Sequence, residues 1–193
     1  MTEPAMTVPA ERPFIPGQRC HLRPLVPADL DGNWRHWLND PEVTRYMFRG
    51  AFPASAESNE EFYESVHNSP NDLVLAIVSA DDDVHVGNTG LHRIDWVNRS
   101  AEFGILIGEK DYWGRGIGSE ATTNIVRHGF EQLNLHRIWL GVFAEHESAV
   151  GVYERVGFRR EGTLREAILR DGETQDQLIM GLLAREFRGA DAR

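Results

Sequence analysis

Cysteine is almost missing from this chain: Cys20 is the only one in 193 residues. A lone thiol excludes an internal disulfide and a cysteine-rich zinc site, and it reads as a buried strand residue rather than a nucleophile. Long apolar runs are missing too, since nothing approaches the ~18 consecutive apolar residues of a membrane span. The N-terminus has neither the basic start nor the apolar centre of a signal peptide. The expectation is a soluble, cytoplasmic protein without a membrane partner. Positive charge is also in deficit, with 20 Lys and Arg against 30 Asp and Glu and a net charge of −10. Nucleic-acid binding relies on a basic surface, so no such partner is expected. An acidic surface suits cationic amines, although it serves solubility equally well. The eight histidines follow no spacing that points to a metal site.

The length fits one domain with a single buried core. We place it at residues 18–188, between a tail over 1–17 that carries four prolines and a short C-terminal tail over 189–193. Residues 19–25 read as a first strand. Leu30, Trp34, Trp37 and Leu38 recur at helical spacing, and Asn39-Asp40-Pro41 stops that helix while capping a short second one. Ser58 and Glu61 have capping-box spacing, which predicts a helix over 58–68. Three strands follow at 73–79, 84–94 and 101–108, an antiparallel meander whose first turn is Asp81-Asp82-Asp83. A strand at 137–144 precedes a helix whose face is Ala149, Val152, Tyr153 and Val156, closed by Gly157. Residues 158–170 and 173–183 form a hairpin about Asp171-Gly172. The fold class is α/β (α+β): a mixed, mostly antiparallel sheet of about seven strands with helices on both faces.

The segment DYWGRGIGSEA, residues 111–121, carries the chemistry. Gly114, Gly116 and Gly118 lie between an apolar run (Ile105, Leu106, Ile107) and a helical pattern of Ile117, Ala121, Ile125, Val126, Phe130 and Leu133. A pyrophosphate needs unhindered N–H donors and a helix N-terminus, where unpaired amides and the macrodipole both favour anions. A P-loop requires GxxxxGK and a dinucleotide fingerprint requires GxGxxG, and neither fits. On these residues alone, a glycine-rich turn without a ligand remains an alternative.

WGRGIG resembles the R/Q-x-x-G-x-G/A signature of the GNAT acetyltransferases, with Trp113 where the superfamily usually has Arg or Gln. The branch it looks most like holds the ribosomal-protein N-terminal and polyamine acetyltransferases. The similarity runs from about residue 20 to about residue 187, through LRPL, NRSAEFGILIG and SAVGVYERVGF.

The resemblance implies a GNAT fold and an acetyl-CoA-dependent N-acetyltransferase working by direct attack in a ternary complex. Ile105, Leu106 and Ile107 would lie along the pantetheine arm, where main-chain N–H groups polarise the thioester carbonyl. Trp113, Gly114, Arg115, Gly116, Ile117, Gly118 and Ser119 would hold the diphosphate. His146 stands where the family usually has a cofactor-contacting Asn. Tyr153, five residues before Phe158, matches the tyrosine that protonates the departing thiolate. A primary amine is about one part in a thousand neutral at pH 7, a barrier of about 4 kcal/mol. Glutamate at position 102 is a base in several relatives, but Glu102 lies ~13 Å from Leu106 at ~3.3 Å per residue. An ion pair with Arg93 or Arg99 is the other reading of that carboxylate. Glu42 and Tyr46, with the turn near Asp171, would shape the acceptor pocket, while Trp37 reads as core. A small amine competes with a protein N-terminus as acceptor. A non-catalytic CoA-binding sensor is a further alternative, and a homodimer is expected by analogy alone.

Overall fold

The computed structural model describes residues 13–47 and 52–187. Seven strands build one sheet: β1 (Cys20–Pro24), β2 (Leu73–Ser79), β3 (His85–Asp95), β4 (Ser100–Ile107), β5 (Arg137–Phe143), β6 (Arg159–Arg170) and β7 (Glu173–Leu183). Four α-helices accompany them among the described residues: α1 (Trp34–Asn39), α2 (Ala56–His67), α3 (Ile117–Glu131) and α4 (Glu147–Val156). The strand order is β1-β2-β3-β4-β5-β7-β6.

Only β4 and β5 run parallel, as a crossover through a helix requires. Their pairing is short, from Ser100↔Arg137 to Glu102↔Trp139. From there β5 stays with β7 along its whole length, Arg137↔Leu183 to Phe143↔Gln177, while β4 stays with β3. The sheet therefore divides after Glu102, and the second half of β4 has a free side.

Apolar side chains alternate across the sheet and fill two cores. Leu22, Leu75, Ile77, Phe103, Ile138 and Leu140 meet α3 and α4 on one face. Ala76, Val78, Trp34, Trp37 and Tyr63 pack with α1 and α2 on the other. β2 is covered on both sides, which is why its sequence is an unbroken apolar run rather than an alternation.

Three local readings need correction. Residues 41–46 form turns, not a second helix. The Thr44 hydroxyl bonds the Asp40 carbonyl at 2.9 Å and the Asp40 carboxylate takes the Glu42 amide at 2.8 Å, so side chains compete with helical bonding. Helix α2 is capped by Ser55, not Ser58: Ser58 is the third helical residue, and its hydroxyl returns the bond that a Glu usually supplies. The expected tail is also fixed further than its prolines imply. Ile15 and Leu22 exchange backbone bonds of 3.0 and 2.9 Å, and Phe14 lies 5.1 Å from the His128 ring. Residues 1–12 and the tail over 189–193 lie outside the described residues. Among the described residues, no helix is long and apolar enough to cross a membrane.

Candidate active site

Strand β4 alternates its backbone between two neighbours, and two bonds fix which residues face which way. The Gly108 amide donates to Val86 on the β3 side (2.8 Å), whereas the Arg99 carbonyl accepts from Arg137 and His136 on the β5 side (3.2 and 2.6 Å). By alternation, the odd-numbered residues of β4 point their N–H and C=O toward β5. Beyond the division β5 is no longer there to receive them. The amides of Ile105 and Ile107 thus open into the gap, while Leu106 points its backbone back to β3. This is a strand edge able to take an extended amide-bearing chain and to present an N–H to a carbonyl.

At the end of β4 the chain turns through Lys110–Tyr112 into the glycine loop. Gly114 and Gly116 have φ of 73° and 81°, a region that L side chains rarely adopt. Gly118 differs, since it is already helical and a Cβ there would meet only Ile107, at 3.7 Å. Gly116 caps α3 without any side-chain bond. Among the described residues no side chain caps the first amides of α3, from Ile117 to Ser119, which is the condition an anion site at a helix N-terminus requires. Glu120, in the same turn, is turned away and accepts from the amides of Gln18 and Arg19 at 2.6 and 2.7 Å. Trp113 closes the loop onto its own strand, donating its indole N–H to the Ile107 carbonyl at 2.9 Å. Its ring, 41 % exposed, is left as a surface at the mouth.

Arg115 lies over the Tyr112 ring, 4.8 Å from its centroid. The Tyr112 hydroxyl donates to the Asp82 carboxylate at 2.5 Å. That bond holds the carboxyl below its usual range and raises the phenol above its own. The acidic turn, read from the sequence only as a turn, anchors the platform on which the loop's arginine rests.

Tyr153 comes from α4. Its ring is buried, at 5.9 Å edge-on to Phe103 and 6.0 Å from Phe158, and burial pushes the phenol up to about 12. No group among the described residues bonds its hydroxyl. Phe103, the strand residue it packs against, is the first of β4 past the division.

The other expectations fare differently. The Glu102 carboxylate is not directed at the thioester region, because it pairs with the Arg93 guanidinium. Arg99 is occupied elsewhere, with Asn134. Glu42 is bound by Lys110 at 3.0 Å, and Lys110 also reaches Asp40 at 2.8 Å. Tyr46 stacks on His146, with centroids 4.3 Å apart, and meets Phe143 edge-on at 5.8 Å. His146 is thereby joined to the turn after α1, and burial lowers its pKa. A cavity of about 260 Å³ does lie against the hairpin turn, bordered by Thr44, Arg45, Arg170 and Asp171. Neither Glu42 nor Tyr46 lines it, and its charged border is two arginines against one aspartate. Trp37 is core at 4 % exposure, its indole N–H on Glu109.

Sequence reasoning missed a buried polar cluster beneath this region. Asp29 takes two bonds from Arg23 (2.7 and 2.8 Å), and the His85 ring lies at 3.3 Å. Burial alone would raise the Asp29 carboxyl, but bonds from Arg23, His85 and the Val26 amide outweigh it and hold the pKa far down. Asn88 continues the chain, donating to His85 at 2.9 Å and accepting from the Trp34 indole at 3.2 Å. Its members are spread from residue 23 to residue 88, so no local spacing betrays it. Among the described residues no group of acidic, His and Cys side chains has the arrangement of a metal site.

The chain is similar to known proteins in sequence and in fold. The acetyltransferase (GNAT) domain family matches residues 19–159. The uncharacterised N-acetyltransferase p20 of Bacillus licheniformis is 31 % identical over 179 residues, covering 89 % of this chain and 97 % of that protein. A spermidine N(1)-acetyltransferase of Escherichia coli is 30 % identical over 167 residues, covering 86 % and 87 %. A crystal structure of spermidine N-acetyltransferase from Vibrio cholerae, in complex with CoA and spermine, superposes with a TM-score of 0.80 at 29 % identity, covering 87 % of this chain and 97 % of that one. A divided sheet, an uncapped glycine cradle at its open end and these relatives lead to one conclusion: the chain belongs to the GNAT family and is an acetyl-CoA-dependent N-acetyltransferase.

Proposed function

We propose that the enzyme acetylates the primary amine of a small cationic molecule by direct attack on acetyl-CoA in a ternary complex. The observation that carries this reading is the coincidence of three features where the sheet divides: the free Ile105 and Ile107 amides, the α3 cradle and the Tyr153 phenol. The diphosphate fits the amides from Ile117 to Ser119 and the Arg115 side chain, with Gly114 and Gly116 shaping the loop. The pantetheine arm fits the exposed edge of β4.

In the reaction, the neutral amine nitrogen bonds to the acetyl carbon and the carbon–sulfur bond breaks. The leaving thiolate takes the Tyr153 proton, and the proton shed by the new amide nitrogen returns to the phenolate through water. A phenol with a pKa near 12 stays protonated at neutral pH and is ready to donate. The ammonium proton that must leave first goes to solvent, since Glu102 is bound to Arg93. A net charge of −10 favours the approach of a cationic acceptor. We read the protein as a cytoplasmic homodimer, to be checked by light scattering.

The deciding experiment follows CoA release over a panel of polyamines, amino sugars and N-terminal peptides. Turnover with the small amines supports the proposal. Acetylation of peptides alone overturns it in favour of a protein N-terminal acetyltransferase, and saturable acetyl-CoA binding with no turnover on any amine assigns a sensor instead.

A further inference from the structure

Arg93 places a cation of the protein's own where the two strands part. It sits at an irregularity between His92 and Asp95 of β3, with φ of 50°, and its amide donates to Asp72 at 3.2 Å. Its guanidinium reaches across to β4 and β5 together: it pairs with Glu102 and lies 5.8 Å from the centroid of the Trp139 ring. Glu102 and Trp139 are direct partners in the last rung of the parallel ladder. A carboxylate beside an indole face is a surrounding that suits a positive charge. The present occupant is loosely kept, with its side chain 71 % exposed, against 25 % for Glu102. Other charges close by are His92, which faces Glu102 across the ladder, Asp72, which binds the His92 ring at 3.2 Å, and the Arg137–Glu161 ion pair, which lies against Gly181, the partner of Trp139 on β7.

We propose that Glu102 and Trp139 form a subsite for a second positive charge of the acceptor, and that Arg93 is the specificity-determining residue whose guanidinium that charge displaces. This rests on the small-amine reading above and narrows it to amines with two or more charged nitrogens. Glu102 precedes Ile105 by three residues, about 10 Å along the strand at ~3.3 Å per residue. A linear triamine such as spermidine spans that interval with one end nitrogen at the thioester, the shorter 1,4-diaminobutane reaches only part of the way, and butylamine carries no second charge. An ion pair with one highly exposed partner is weak, so its displacement costs little. The arginine acts as a threshold that a polycation passes more easily than a single weak cation.

The test uses the full chain and its Arg93→Ala and Glu102→Gln variants with spermidine, 1,4-diaminobutane and butylamine, read as kcat/KM relative to butylamine. For spermidine, Arg93→Ala should raise that ratio by about threefold or more, mainly through KM, and Glu102→Gln should lower it about tenfold. Equal effects on all three amines, or a lower spermidine ratio in Arg93→Ala, would overturn the subsite. Should none of the amines be acetylated, the acceptor reading has failed by itself. Calorimetry of spermidine against the CoA-loaded protein still decides the subsite: tighter binding to Arg93→Ala and weaker binding to Glu102→Gln support it. Unchanged or absent binding across the three proteins removes it.

Discussion

The Tyr46 and His146 rings lie parallel, 4.3 Å between centroids and 17° apart, and tie the turn after α1 to the start of α4. Stacked pairs of this kind contribute about 0.5–1.5 kcal/mol beyond the area they bury. His146→Ala should therefore raise the KM for the amine by a few-fold to about tenfold while changing the KM for acetyl-CoA much less. Steady-state kinetics with each substrate varied in turn separates the two, and a rise confined to acetyl-CoA would restore His146 to the cofactor.

The same burial gives a pH signature. Desolvation depresses the folded-state pKa of His146, while an unfolded histidine titrates near 6.5. As the pH falls below about 6.5, the unfolded chain gains a proton that the folded chain resists, so stability drops with acid and levels off once the folded ring is protonated. Thermal melts should show a smaller acid decline in His146→Gln than in the parent. His128, also depressed by burial, accounts for part of what remains.

Tyr153→Phe should lower kcat by about two orders of magnitude or more, with the KM for acetyl-CoA nearly unchanged, as for a proton donated only in the transition state. Its pKa is raised from 10.0 to about 12. The alkaline limb of the parent's rate profile should accordingly be missing near pH 10, where an ordinary tyrosine ionises. Stability runs the other way: the contribution of this group is complete below pH 10 and is lost as the pH climbs from 10 toward 12.

Gly116→Ala imposes a left-handed backbone on an L residue at a cost of about 1–2 kcal/mol, and the new Cβ would press on the Arg19 side chain at 3.2 Å. The variant should melt earlier and bind acetyl-CoA more weakly by calorimetry. Gly118→Ala is the matched control for the stability effect alone, because its backbone is helical and its Cβ meets only Ile107, at 3.7 Å.

Asp82→Asn weakens the bond that fixes Tyr112 and so loosens the surface under Arg115. We expect a several-fold higher KM for acetyl-CoA at low salt, narrowing toward the parent's at high salt, with kcat retained. Tyr112→Phe should reproduce the effect. If only thermal stability changes, the latch does not serve the cofactor.

Much of this was legible in the chain itself, and for identifiable reasons. The run at β2 is apolar throughout because both of its faces are covered. Asp171-Gly172, with φ of 52° and 82°, turned the last hairpin where its dipeptide predicts. The left-handed turns at Gly114 and Gly116 could be read because loop conformation is local. What escaped was set by distance or by substitution of one donor for another. A serine hydroxyl did a glutamate's work at the start of α2. Asp82 and Tyr112 meet across 30 positions. The ion pair of Glu102 with Arg93, by contrast, was one of the readings open in the sequence, and only the choice between Arg93 and Arg99 needed the fold.

Lys110 is the only lysine in the chain. Asp40 and Glu42 grip its ammonium from two sides and raise its pKa. An ammonium has no lone pair to spend on a thioester, and the raised pKa keeps the chain's one lysine charged within a few residues of its own glycine loop. Auto-acylation is thereby suppressed at the doorway of the catalyst, and intact-mass spectra after long incubation with acetyl-CoA should find this lysine unmodified.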